Sequence, residues 1–318
     1  MIDNTFNKLL TEEMGIIRNV QTDTTAIADK IKHLIKNTAS SPTSFDMTTY
    51  KNGIFQIDVT TSVDDNVSQS KKTINVKWYY FSFSDEQTKE DAITKIPMRT
   101  SYNKSINTLS IVVLAIRGVI DSNTLEDSIA HELTHNFQTH LKGDELLSND
   151  NIKAKYQAVN RNFVSNSENV RVIASVLYLT YKFEQDAFLN GAYAYIISEY
   201  EKGNDITGAY EKTTAYNSLH SLRYYLDIMQ NAMANNRIGE MTKQHCKSEY
   251  NLSFEKIITI GEKAYSRYSR KLARMYAQAL ADIRNKNIME SETYHTMHFY
   301  MQPPLEELKK RINKIIFD

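Results

Sequence analysis

Residues 128–140 read SIAHELTHNFQTH, with His131 and His135 four positions apart and Glu132 directly after the first histidine. On a helix the two imidazoles differ by about 40° of rotation and project from one side, a turn apart. Two neutral ring nitrogens on one rigid turn can ligate a single cation at little entropic cost. Glu132 falls about 100° round from His131, near enough to face a metal-held water without being a ligand itself. The chemistry implied is a divalent ion that polarises a bond while a carboxylate moves a proton. A plain polar helix face could carry the same five residues, so the neighbourhood must discriminate. Ala130, Leu133, Thr134 and Asn136 are uncharged and Phe137 is apolar, as a site that excludes water requires. Leu125, Ile129, Leu133, Phe137 and Leu141 recur every four residues and mark a buried stripe. Thr124 can cap this helix, with Asp127 three residues later in a capping-box place.

Two histidines leave zinc short, because catalytic sites usually supply three protein ligands and keep one position for water. His140 lies about 140° round the helix from His135 and cannot close on the same ion. The pattern HExxHxxGxxH also fails, with Gln138 at its Gly and Leu141 at its third His. The better candidate is Glu184, in YKFEQDAFLNGAYAY (181–195). As a helix, this segment puts Glu184 on a face with Ala187, Phe188, Gly191 and Tyr195, where a carboxylate is costly to bury unless paired or cation-bound. Ala187 and Gly191 would let the two helices approach closely. Asp186 points the other way, with Lys182 and Asn190, and reads as solvated. Glu168, in NSENV, is a weaker substitute at a helix start, and a dipole-stabilised Glu near a helix start is the structural alternative for Glu184 itself.

HELTH followed by EQDA, with Glu184 49 residues after His135, resembles the gluzincin class of zinc metallopeptidases, which pair HExxH with a downstream Glu in an ExxA-type helix. The likeness covers motifs and their order over about residues 105–195. It implies a zincin-like fold, a Zn2+ cofactor held by His131, His135 and Glu184, and Glu132 as general base for hydrolysis of a protein or peptide substrate. In several such families an acidic or amide residue four after the third ligand buttresses a histidine. Here that position is Phe188, so support must come from elsewhere. Zincins commonly align an extended substrate on an edge strand, and INTLSIVVLAIR (106–117) takes that place by resemblance and position. His220, His295 and His298 are candidate oxyanion stabilisers, and with 20 tyrosines in the chain a phenol is an equal one. Two other readings stand beside peptidase: a non-catalytic zinc-containing structural or interaction protein of a larger assembly, and a zinc hydrolase of a non-peptide amide. The intact Glu132 speaks against the first, since a structural site needs no general base.

The elements that must position these residues fall into two textures. Alternation of Phe55, Ile57 and Val59, then of Ile74, Val76, Trp78 and Tyr80, signals strands. Further extended segments are expected near 95–102 and at 106–117. From 123 the pattern is helical, over 124–141, 151–163, 168–179, 181–201, 211–235, 254–286 and 304–315, after an earlier helix at 5–36. The expected class is α+β: a lobe over 1–120 with helices and a small mixed or antiparallel sheet, antiparallel by preference. A mainly helical lobe over 121–318 would carry both motif helices in one compact unit.

Composition bounds the rest. The 318 residues carry 38 acids and 38 bases, a formal net charge of zero, which gives no global electrostatic reason to expect nucleic acid or an anionic membrane as partner. Tyr265, Arg267, Tyr268, Arg270, Lys271 and Arg274 on the 254–286 helix read as a solvated basic face. The lone Cys246 excludes an internal disulfide framework and, beside His245, reads as a packing or surface thiol. The longest apolar run, IVVLAI (111–116), is far short of a membrane span, and the first twenty residues lack an apolar h-region. A soluble, cytoplasmic protein is the expectation.

Overall fold

The structure, a computed structural model, describes residues 18–40, 49–60, 71–93, 96, 98–120, 122–141, 150–163 and 165–293. His295, His298, the 304–315 helix and the first part of the 5–36 helix lie outside the described residues, as do the side chains of Thr124, Phe137, His140 and Leu141. Helix α1 (Arg18–Asn37) precedes strands β1 (Thr49–Thr60) and β2 (Lys71–Phe83); then come α2 (Glu86–Ile93), β3 (Ser101–Asn103), β4 (Thr108–Ile116) and β5 (Val119–Ile120). The sheet order is β1-β2-β4-β3, with β5 paired to β4. β2 and β4 run parallel and the other pairs antiparallel, so the sheet is mixed and the antiparallel preference is corrected. The physical reason is the connection: residues 84–107, with α2, cross back over the sheet, and a crossover of that length returns a strand in the same direction.

Period-two burial puts Ile74, Val76, Trp78 and Tyr80 of β2 and Leu109, Ile111, Val113 and Ala115 of β4 on one face, under α1. Phe81 and Phe83 cover the opposite face with Ala92 and Ile96. Gly53 pairs opposite Trp78, and a Cβ there would lie 2.8 Å from the indole, so the bare backbone makes room for the ring. Arg117 (φ 51°) and Gly118 (φ 79°) close the two-residue turn from β4 to β5, both in the left-handed region that such hairpins demand. β4 is only in part the free edge expected of 106–117, since among the described residues no strand pairs with residues 111–114 on the side away from β2. β3 covers it from Thr108 to Ser110 and β5 from Ala115 to Ile116, leaving the short β3 outermost.

The remainder is helical: α3 (Ser122–Leu141), α4 (Asp150–Asn162), α5 (Glu168–Thr180), α6 (Lys182–Glu201), α7 (Ile206–Lys212), α8 (Thr214–Ala234), α9 (Glu240–Tyr250) and α10 (Phe254–Thr293). α3 joins the two textures, packing Leu125, Ile129 and Leu133 into the sheet's core. The helix expected over 211–235 is α8, which starts at Thr214 because Thr213 is extended and its hydroxyl accepts from the Tyr216 N–H at 3.2 Å, capping it; the short α7 before it was not expected. α9 and α2 lacked a readable stripe; α9 buries only Cys246 and Tyr250.

α6 is buried on every side from Glu184 to Glu199, where the sequence suggested one apolar face. It is the central helix of this half, with α5, α8 and α10 contributing to the same core. Asp186 is accordingly not solvated: it is buried in an ion pair with Lys271 of α10. The basic face expected on α10 is therefore only partly a surface. Lys271 and Tyr268 are buried, and Arg267 donates to Gln185 Oε1 at 3.2 Å and to the Thr180 carbonyl at 3.0 Å. Among the described residues, no helix is long and apolar enough to cross a membrane.

Candidate metal centre

α3 and α6 lie against each other along a glycine. A Cβ at Gly191 would sit 2.1 Å from Asp127 Oδ1 and 2.8 Å from the Asp127 carbonyl. Only hydrogen fits there, so the close approach expected from Gly191 is realised. Asp127 itself does not serve as a capping-box residue. It is buried, and its Oδ2 accepts from the Thr214 N–H at 2.8 Å, tying the start of α8 to α3. One turn from the helix start, Glu126 is clamped between Lys32 of α1 at 2.9 Å and Lys202 beyond α6 at 3.1 Å. Burial disfavours its charge, but Ser198 and the two lysines outweigh that and hold the carboxyl below its ordinary range.

This packing carries Glu184 to the histidines. His131 Nε2 and His135 Nε2 are 3.1 Å apart, and Glu184 Oε2 is 3.4 Å from the first and 3.5 Å from the second. Corners of a tetrahedron whose centre lies about 2.0–2.1 Å from each are about 3.3–3.4 Å apart. The three donors therefore match the spacing a four-coordinate ion imposes. Together they form a group able to hold a metal ion, the one such group found among the described residues. Glu184 is almost fully buried, whereas the His135 side chain keeps 24% of its surface, so the cage opens on the His135 side.

The orientation of His135 supports the fit. Gln138, one turn on, donates its amide N–H to the Phe183 carbonyl at 3.0 Å and so presents Oε1 to His135 Nδ1, also at 3.0 Å. Nδ1 must then carry the proton, which leaves the Nε2 lone pair of the neutral ring aimed into the cage. Protons compete for that lone pair. Burial opposes the imidazolium, but Glu184 and Glu132 beside it prevail and lift the His135 pKa to about 8. Reciprocally, burial works against the Glu184 charge, and the two imidazoles overcome it and hold the carboxyl well below the usual range.

Glu184 is further held by two phenols. Tyr156 of α4 donates to Oε1 and Tyr178 of α5 to Oε2, each at 2.7 Å. Burial, with Glu184 next in weight, pushes both phenols far above their ordinary pKa, so they remain donors. Phe188 does occupy the place four residues after Glu184, and its ring lies 4.6 Å from that of His131. An aromatic wall thus stands where a polar buttress was sought, and His131 Nδ1 is buried with no hydrogen-bond partner among the described residues. Glu132 lies close enough to feel His131, His135 and Glu184, and its Oε2 accepts the Tyr102 N–H of β3 at 2.8 Å. Burial raises the Glu132 carboxyl above its ordinary value, while His131, His135 and that N–H restrain the rise.

The structure therefore brings His131, His135 and Glu184 together, with Glu132 beside them. His220 is exposed on α8, its ring 4.4 Å from that of Tyr216. Glu168 is exposed at the first turn of α5 and takes no part in the cage. Cys246 is a buried thiol whose pKa burial pushes up to about 11, the packing role read for it. Tyr156, Tyr178, Gln138 and the Tyr102 amide escaped the sequence reading. Gln138 alone carried a usable signal, since a residue three after a helical histidine can reach its ring. Compared with protein-family models, curated proteins and solved structures, the chain has no match.

Proposed function

We propose that this protein is a zinc-dependent peptidase in which His131, His135 and Glu184 hold the ion and Glu132 is the general base. The observation that carries the reading is the convergence of a third ligating oxygen on the paired imidazoles, with a separate carboxylate left beside them. A zinc ion held there supplies Lewis acidity for a carbonyl and lowers the pKa of a water to about 7.

The protein's own groups do the remainder. Glu132 accepts the proton of the attacking water and returns it to the leaving amine; a carboxyl lifted by burial is better matched to both steps than an exposed one. Phe188 keeps solvent from the His131 side of the cage. β3, the outer strand whose Tyr102 contacts Glu132, replaces β4 as the strand along which an extended peptide would lie. A module that used zinc only to hold its fold would have no need of Glu132 in this position.

The deciding experiment pairs metal analysis with digestion of a proteome-derived peptide library. Wild type should carry one equivalent of zinc and cleave. Glu132→Gln should keep the zinc and lose cleavage, and His131→Ala should lose both. Equal cleavage by wild type and Glu132→Gln would remove the general base and the proposal with it.

A further inference from the structure

Resting on the metal reading above, we infer that Tyr156 and Tyr178 are positioning residues that make Glu184 a one-oxygen ligand, and so restrict the cage to small four-coordinate cations. The carboxylate is the softest part of the site, because rotation about its last bond would let either oxygen, or both, face an ion. Two hydroxyls remove that freedom. Each comes from a different helix and each takes a different oxygen, Tyr156 on Oε1 and Tyr178 on Oε2, at 2.7 Å.

The division is unequal in consequence. Oε2 is the oxygen nearest both imidazoles, 3.4 and 3.5 Å from their Nε2 atoms. A carboxylate oxygen has two lone-pair directions, so Oε2 can serve Tyr178 and the cage together. Oε1 is drawn towards α4 by Tyr156 and away from a second bond to the same ion. The rings cannot easily drift, since Tyr156 packs on Phe183 and Tyr181 at centroid distances of 5.2 and 5.3 Å and Tyr178 on Phe163 at 5.3 Å. Ions that favour six or more oxygen-rich contacts gain from two-oxygen carboxylates, whereas zinc is content with four ligands. Pinning Oε1 therefore disfavours the former group.

The test uses the full chain loaded with Co2+, whose visible bands are intense in four-coordinate sites and weak at higher coordination, together with competition between Zn2+ and Mn2+. Wild type should give intense bands. Tyr156→Phe should weaken them and reduce the preference for Zn2+ over Mn2+ by about tenfold. The Tyr156→Phe/Tyr178→Phe pair should lower Zn2+ affinity by about 10–100-fold, the range typical of groups that orient a ligand. If the doubly substituted chain does not fold, the half-buried Tyr156→Phe decides alone. Wild-type bands and an unchanged Zn2+/Mn2+ ratio in folded Tyr156→Phe would overturn the inference and leave the metal centre standing. A wild type that binds neither Co2+ nor Zn2+ would sink the metal centre and the inference together.

Discussion

The backbone N–H of Tyr102 donates to Glu132 Oε2 at 2.8 Å, joining the outermost strand of the sheet to the residue between the two cage histidines. Tyr102 pairs with Leu109 on its inner side, and its amide, spent on Glu132, faces outwards. One carboxylate oxygen is thereby fixed by main chain, which any residue at position 102 that keeps its N–H can supply.

Proline at that position does remove it. Tyr102→Pro deletes the N–H, and an outer strand tolerates proline because no ladder bond needs that donor. A hydrogen bond to a charged group contributes about 1.5–3 kcal/mol, so kcat on a cleavable peptide should fall roughly 10–100-fold. Zinc content should stay at one equivalent. Undiminished kcat in the metal-loaded variant would show that the strand does not orient Glu132.

Gly191→Ala tests the helix contact on which the cage depends. The added methyl would stand 2.1 Å from Asp127 Oδ1 and 2.8 Å from the backbone oxygen of the same residue, and backbone cannot yield as a side-chain tip can. α6 must move off α3, at a cost of about 1–3 kcal/mol by analogy with overpacked cores. Thermal unfolding should drop by several degrees, and zinc affinity should fall because Glu184 rides on the displaced helix. A variant with wild-type melting and affinity would show that the two helices have slack.

The His135–Glu184 pair makes the metal-free fold sensitive to pH in an unusual direction. With the His135 pKa raised to about 8 from an unfolded value of about 6.5, the protonated ring stabilises the fold fully below about pH 6.5. That contribution fades as pH rises through about 8, and it amounts to about 2 kcal/mol at most. Denaturant unfolding of the chelator-treated protein should therefore show stability declining from pH 6.5 to 8.5, with the slope absent in His135→Ala. Zinc affinity should climb over the same interval as protons stop competing. A flat stability profile in wild type would place the His135 pKa near its ordinary value.

Much of this was legible in the chain itself. His131, Glu132 and His135 declare themselves by spacing on one helix turn. Glu184 declares itself by cost, as a carboxylate among Ala187, Phe188 and Gly191 with no partner in reach along the sequence. What was not legible depends on contacts between distant segments. Asp186 reads as solvated until Lys271, 85 positions away, is folded against it, and Asp127 reads as a cap until Thr214 arrives from α8. Tyr156 and Tyr178 look like ordinary core aromatics because nothing local distinguishes a phenol that ends on a carboxylate from one that ends in solvent. The direction of β4 turned on a crossover whose path the alternation of Leu109, Ile111 and Val113 does not encode.

Gln138 provides the last test, since its two ends do different things. Oε1 faces His135 Nδ1 while the amide nitrogen is bound to the Phe183 carbonyl, both at 3.0 Å. Gln138→Leu deletes both bonds, leaves Nδ1–H without its acceptor and frees the ring to turn. Loss of such a support lowers metal affinity by about 10–100-fold. Gln138→Glu keeps an acceptor for Nδ1–H, gives up the donation to Phe183 and must turn its second oxygen away from that carbonyl, so its zinc affinity should fall less than that of Gln138→Leu. Competition titration against a chromophoric chelator separates the two variants. Equal, large losses in both would assign the effect to the Phe183 contact, and equal retention would show that His135 holds its orientation without Gln138.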